Sequence, residues 1–350
     1  MTPRAGALAL SLALAAGCDD PTPPRLAEPD AAARADVTDA SADGAPPGDI
    51  GPDRPALPMY EVLRLDARRN EFPEGVAARQ GSGYVSIPGL GRVIEVSPDG
   101  ASRAYATVPT GVTAHGLAFD AMGRLLLVAV SPTAGESGLW RAVAGGGPAV
   151  FIAGDAQYQG PGAVAVDASG GVWLTDSPRG AIWKLAPDGR SLARWSSDAL
   201  LAGGAVVCGP AQTVRTGANA LVVDLAGNAV YVTNTDHAAV VRVAIAADGS
   251  AGPATTLTAR DCPRLAGAWG LAAGAGGALL VAAGGVDALT RVAPGGALTA
   301  VDAPAGLLRS PAGVAFDAES GVLWVASSAW ADAVRPGATP LPGVARVPVR

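Results

Sequence analysis

The chain has 350 residues, of which 49% are hydrophobic and 16% charged, and its net charge at pH 7 is −6. A single lysine (Lys184) and the lack of any basic cluster leave no electrostatic footprint for nucleic acid, and helical heptads are absent too. Forty-seven glycines and 29 prolines point instead to an all-β protein with many tight turns.

In chain order, residues 1–17 read as a targeting segment. Arg4 supplies a minimal positive charge, and residues 7–16 form an apolar stretch too short to span a bilayer. The stretch runs into Leu14-Ala15-Ala16-Gly17-Cys18, which resembles the lipobox of bacterial lipoproteins, although Ala15 stands where a large aliphatic residue is usual. That resemblance implies cleavage before Cys18, its acylation, and a lipid anchor to a membrane of the bacterial cell envelope. The alternative is a plain signal peptide. Residues 18–57 are rich in Pro, Ala and Asp and carry eight Asp and one Glu against three Arg. Such a segment cannot bury enough apolar surface to order itself, so a disordered tether is expected there.

Residues 58–350 are organised by one recurring phrase: a small or polar residue, then Gly or Ala, an aliphatic residue and a small one. The copies begin at Glu74, His115, Gly162, Asn219, Trp269 and Ala312, at intervals of 41 to 57 residues, the range of a four-stranded propeller blade. The third copy shows the pattern well. The run 163–166 suits an innermost strand, 167–171 a glycine turn, 172–175 and 181–185 the next two strands, and 192–195 the outer strand after the hairpin Pro187-Asp188-Gly189. An Asp precedes the first turn at Asp120, Asp167, Asp224 and Asp317. The last copy has only three strands, whereas residues 60–65 form a strand without a blade. Placing that strand as the outer strand of the last blade predicts a six-bladed β-propeller with a closed ring and no open edge.

In a propeller the residue that starts each innermost strand sits at the rim of the central channel. Glu74, His115 and Asn219 then bring a carboxylate, an imidazole and a carboxamide towards one axis, a set suited to a divalent cation. The oxygens favour Ca²⁺, Mg²⁺ or Mn²⁺, and the imidazole favours Mn²⁺ or Zn²⁺. Trp269 has two readings, as packing that plugs the channel or as a stacking surface for a sugar or other flat ligand. His237 falls in a turn and is expected to be exposed. Cys208 and Cys262 both precede innermost strands of neighbouring blades, so their loops share one face, and an oxidising compartment would join them in a disulfide.

Two segments extend this reading. The first, Gly160-Pro161-Gly162-Ala163-Val164-Ala165-Val166-Asp167, continues through Trp173-Leu174-Thr175-Asp176. The second is Ala218-Asn219-Ala220-Leu221 with Tyr231-Val232-Thr233. Both resemble blades of the SMP-30/gluconolactonase/LRE-like superfamily, with NHL-type propellers sharing the grammar. The resemblance implies metal-dependent hydrolysis of sugar lactones or related esters, with a Glu, an Asn and an Asp on the metal. Glu74 and Asn219 match the first two, but the Asp position falls on Trp269, and the substrate-contacting Asn-Asp pair reads Gly162-Ala163. His115 is the one residue present that could replace the missing ligand or base. Two functions are therefore expected of a monomer of this kind. The favoured one is binding of a small ligand or protein partner at the channel mouth; the alternative is hydrolysis of lactones with a divalent metal.

Overall fold

The computed structural model describes residues 60–208, 215–224 and 226–349. The leader, Cys18 and the tether lie outside the described residues. What is described is an all-β, propeller-like architecture built from antiparallel meanders. Four of its sheets have four strands, and a fifth has eight. The eight-stranded sheet consists of meanders 76–107 and 113–154, whose outer strands Ser102–Thr107 and Gly147–Gly154 meet through one parallel pair, Thr107 with Pro148. This merger departs from the separate blades read from the repeat, and it arises because two outer strands come within pairing distance at one point.

The third copy folds much as its pattern dictates. Its strands are Val164–Val166, Val172–Asp176, Ala181–Leu185 and Leu192–Ser196, paired in that order. Every residue of Val172–Asp176 is buried, as expected for a strand covered on both faces. The Asp before the turn has a definite task. Asp167 Oδ1 accepts hydrogen bonds from the Ser169 and Gly171 amides at 2.9 and 2.8 Å, while Oδ2 accepts one from Trp173 Nε1 at 2.7 Å. One carboxylate thereby closes the turn and orients the largest side chain of the next strand. Asp120 serves its own turn in the same manner, accepting from the Met122 and Arg124 amides.

The orphan strand Glu61–Arg64 pairs antiparallel with Gly343–Pro348, so one sheet contains both ends of the described chain. Its backbone is stitched further by Leu65 N–H to Pro342 O at 2.9 Å. Leu65 packs with Val85, Ile87, Trp324 and Val344 in a core shared between the first meander and this last sheet. Equivalent cores lie between each other pair of sequential meanders. Val93 and Leu127 share one, Leu139 and Trp183 another, and Trp173 and Val232 a third. The hydrophobic material therefore sits between sheets, around an axis.

At that axis the innermost strands touch backbone to backbone. A Cβ on Gly75 would lie 2.2 Å from the His115 carbonyl oxygen, one on Gly116 2.5 Å from Ala163 Cα, and one on Gly270 2.6 Å from the Ala312 carbonyl oxygen. A Cβ on Gly313 would lie 2.2 Å from the Glu74 carbonyl oxygen, which brings the last sheet against the first meander. At Ala163 and Ala220, hydroxyls span to the next strand instead. Thr175 Oγ1 takes the Ala163 N–H at 2.8 Å and donates to the Asn219 carbonyl. Thr233 Oγ1 takes the Ala220 N–H at 3.0 Å and donates to the Trp269 carbonyl at 2.9 Å.

Two outcomes follow from this geometry. Gly75→Val must push one innermost strand off its neighbour and should cost about 3 kcal/mol or more, read by denaturant unfolding; a change within about 0.5 kcal/mol would contradict the close approach. For Asp167, burial pushes the carboxyl up, but hydrogen bonds from Ser169, Trp173 and Gly171 outweigh it and hold the group below its ordinary 3.8. A depressed carboxyl stabilises the fold above its unfolded value, and that contribution is lost as pH falls through the folded value. Asp167→Asn should thus cost about 1–2 kcal/mol at pH 6, and the deficit should shrink as unfolding is measured at pH values falling below 3.8.

Candidate functional site

Five of the residues that start innermost strands, Glu74, Gly162, Asn219, Trp269 and Ala312, line the central channel. His115 does not. Thr113 and His115 lie two apart on the strand Thr113–Phe119, so their side chains leave the same face. The imidazole is consequently held sideways, with Nε2 2.8 Å from Thr113 Oγ1 and Nδ1 2.9 Å from Glu74 Oε1, and the residue is 8% exposed. Both ring nitrogens are engaged, and one of them is engaged by the carboxylate with which it was expected to share a ligand. Asn219 is oriented by donating from Nδ2 to Thr235 Oγ1 at 3.1 Å, a bond that leaves its carboxamide oxygen uncommitted.

These contacts decide how well the mouth suits a divalent ion. Such an ion needs several convergent anionic or neutral donors with free lone pairs. Here the sole charged ligand candidate is paired to an imidazole whose other nitrogen is also bonded, and the third ring position carries an indole. Among the described residues, no three His, Cys, Asp or Glu side chains come together as a metal would require. The mouth thus brings one carboxylate and one carboxamide oxygen towards the axis, fewer donors than a divalent cation takes. Asp176, a buried acid at the end of the strand Val172–Asp176, is raised by burial, but its oxygens accept from the Gln159 and Arg179 amides, and it stands outside the channel lining.

What the mouth does offer is aromatic. Trp269, half-buried, meets Trp330 with ring centroids 5.8 Å apart at 63°. Trp330 comes from the short helix Trp330–Ala333, set between the strands Val322–Ser327 and Gly343–Pro348. Two further cavities use both indoles as walls. One, of about 150 Å³, includes Phe72 and Glu74, and the other, of about 340 Å³, includes Cys208 and Asp236. Trp330 was not legible as a site residue, because it starts no strand and belongs to no repeat. The hydroxyls of Thr175 and Thr233 were also missed, though each follows an apolar run in its strand.

Cys208 and Cys262 are joined in a disulfide, with their Cα atoms 5.4 Å apart across a sequence separation of 54. His237, expected to be exposed, is half-buried, and its Nε2 would stand 2.8 Å from a Cβ at Gly204. The loop that carries Cys208 folds over it.

No protein-family model matches the chain, and no curated protein sequence matches it. Solved structures do resemble it. A gluconolactonase from Xanthomonas campestris aligns with TM-score 0.58 at 18% identity, covering 84% of this chain and 99% of that one. The calcium-binding protein regucalcin from Agrobacterium tumefaciens aligns with TM-score 0.58 at 16% identity, covering 83% and 93%. A chain of the nidogen/laminin complex aligns with TM-score 0.52 at 18% identity, covering 70% and 84%. Likeness at these identities establishes the propeller-like fold. A lactonase, a calcium-binding protein and a member of a protein complex share that fold, so chemistry has to be argued from the site.

The disulfide ties the loop ahead of Asn219 to the loop ahead of Trp269, and its removal frees a long loop in the unfolded chain. Denaturant unfolding with and without reductant should show a loss of about 2–4 kcal/mol, and the Cys208→Ser, Cys262→Ser double variant should match it.

Proposed function

We propose that this chain is a monomeric, six-bladed propeller, anchored in the bacterial cell envelope through Cys18, that binds a small flat ligand or a protein partner at its channel mouth. The observation that carries the binding function is Trp269. It occupies the position where the resemblance calls for a metal-binding and proton-transferring Asp, and it packs against Trp330 at the mouth. An indole cannot coordinate a metal ion or accept a proton, but it offers a broad apolar face for stacking.

The count of six is supported by the eight-stranded sheet itself, whose halves meet through a single residue pair. Val93 of one half and Leu127 of the other share a core, as residues of other neighbouring meanders do. The envelope anchor rests on the lipobox resemblance alone. A second reading, a lactone hydrolase using a divalent metal, is favoured by Glu74 and Asn219 both lining the channel. The engaged imidazole and the missing Asp weigh against it.

Thermal unfolding of the purified chain separates the two. In EDTA and then in excess Ca²⁺, Mg²⁺, Mn²⁺ or Zn²⁺, the midpoint should stay unchanged, and glucono-δ-lactone should be hydrolysed no faster than in buffer. A ligand that binds only the folded state must raise the midpoint once its concentration passes its dissociation constant. A metal-specific rise that disappears in Glu74→Ala would overturn the binding reading in favour of the hydrolase.

A further inference from the structure

The smaller of the two cavities beside the indoles, about 150 Å³, has three aromatic walls, Phe72, Trp269 and Trp330, and one acid, Glu74. Pro73 and Pro88 line it too, and none of its lining side chains is basic. All three aromatic residues are half-buried, so each still presents surface. The Trp269 and Trp330 rings stand at 63° to each other and make a corner, not a parallel stack. Trp330 Nε1 is itself buried, so what this indole offers the space is carbon.

Glu74 can be reached by a ligand. Its side chain is 25% exposed, and it lines the channel as well as this cavity. Oε1 accepts from His115 Nδ1 at 2.9 Å, a contact that among the described residues leaves Oε2 uncommitted. A neutral imidazole satisfies both of its neighbours, donating to Glu74 and accepting the Thr113 hydroxyl at Nε2, so the carboxylate keeps its charge. The other polar side chain of the lining, Ser328, spends its hydroxyl on the Ser310 carbonyl at 2.7 Å.

This combination selects among cations. A primary ammonium carries three N–H donors, and a lining with one free acceptor side chain would leave donors unmatched. A quaternary ammonium has no N–H, and its charge is spread over methyl groups that suit aromatic faces. An apolar cavity of about 150 Å³ takes a benzene-sized guest, and a trimethylammonium head is of that order. We propose that this cavity binds a quaternary ammonium group of trimethylammonium size, with Phe72, Trp269 and Trp330 around the methyls and Glu74 beside the charge. The assignment rests on the mouth-binding reading above and names its ligand class. It requires neither a metal nor a chemical step.

The test is titration of the purified full chain, disulfide intact and in EDTA, followed by calorimetry and tryptophan fluorescence. The probes are choline, its neutral carbon analogue 3,3-dimethylbutan-1-ol, and ethanolamine, which keeps the charge without the methyls. Choline should bind saturably and about tenfold or more tightly than either. Glu74→Gln, which preserves an acceptor for His115, should lower choline's affinity about fivefold and leave the neutral alcohol's in place. Phe72→Leu keeps an apolar wall but removes a ring, and should weaken choline about threefold with ethanolamine hardly changed. Dihexanoylphosphatidylcholine, kept below its micelle concentration, tells the source of the group: tighter binding than choline means a lipid headgroup, weaker binding a free ligand. Equal affinity for choline and the neutral alcohol overturns the cation assignment and leaves the aromatic mouth standing. Equal affinity for choline and ethanolamine overturns it too, since the rings then contribute nothing. Absence of a saturable response to choline also overturns it. EDTA keeps metal off Glu74, so the metal-specific shift that would sink the mouth-binding reading cannot be mistaken for any of these outcomes.

Discussion

Backbone contact between innermost strands is the constraint on which the rest of the molecule depends. Carbonyl oxygens and Cα atoms of one strand sit where a side chain of the next would have to be, at Gly75, Gly116, Gly270 and Gly313. Hydrophobic burial between the sheets supplies the drive, since each sheet is apolar on two faces and cannot satisfy both alone. How close the sheets come is set at the axis, by the smallest residue in each copy of the repeat. The two alanines are the informative exceptions. At Ala163 and Ala220 a threonine of the adjoining strand takes the local N–H and donates onward to the next strand's carbonyl. Glycine closes the ring by contact and threonine closes it by hydrogen bond, so buried backbone groups near the axis find partners either way.

That tightness determines what the mouth can be. Strands that nearly touch leave a narrow channel, so side chains at their starting residues converge and react to one another before they meet a ligand. Glu74 and His115 illustrate this, for the carboxylate and the imidazole are 2.9 Å apart and the opposite ring nitrogen rests on Thr113. A metal entering there would have to compete with that pair for its ligands. Larger spaces open only off the axis, where loops after the second strands and before the innermost strands stand up from the rim. Trp269 and Trp330 divide those spaces, and the disulfide secures one of their walls.

Much of the scaffold is legible in the sequence. The four strands of residues 164–196 fall within a residue or so of their expected bounds, because glycine turns and alternating apolar runs mark them directly. The strand Glu61–Arg64 was placeable by a different argument: the last copy lacked a strand and the first had one too many. The sheet merger at Thr107 and Pro148 was not readable, since a single pairing between outer strands leaves no pattern. Side-chain direction was also beyond reach at the rim. The period of two along Thr113–Phe119 does put Thr113 and His115 on one face, but whether that face turns to the channel or along it depends on the twist at a bulge between Ala114 and Leu117.

The resemblance to lactone-cleaving propellers and the absence of their acid at Trp269 are best understood as two levels of one design. The axial contacts depend on glycine, alanine and threonine, none of which takes part in chemistry, so they can persist while the rim residues change freely. A rim carboxylate exchanged for an indole removes a ligand and a base together, yet it disturbs no backbone contact, because Trp269 offers its carbonyl to Thr233 whatever its side chain. The same exchange adds an apolar wall shared by the channel and the cavity of about 340 Å³ beside it. Loss of one kind of recognition and gain of another can thus arise at a single position, with the fold indifferent to which is present. For this reason a structural likeness spanning most of the chain, at 18% identity or less, speaks for the ring and is silent about the mouth.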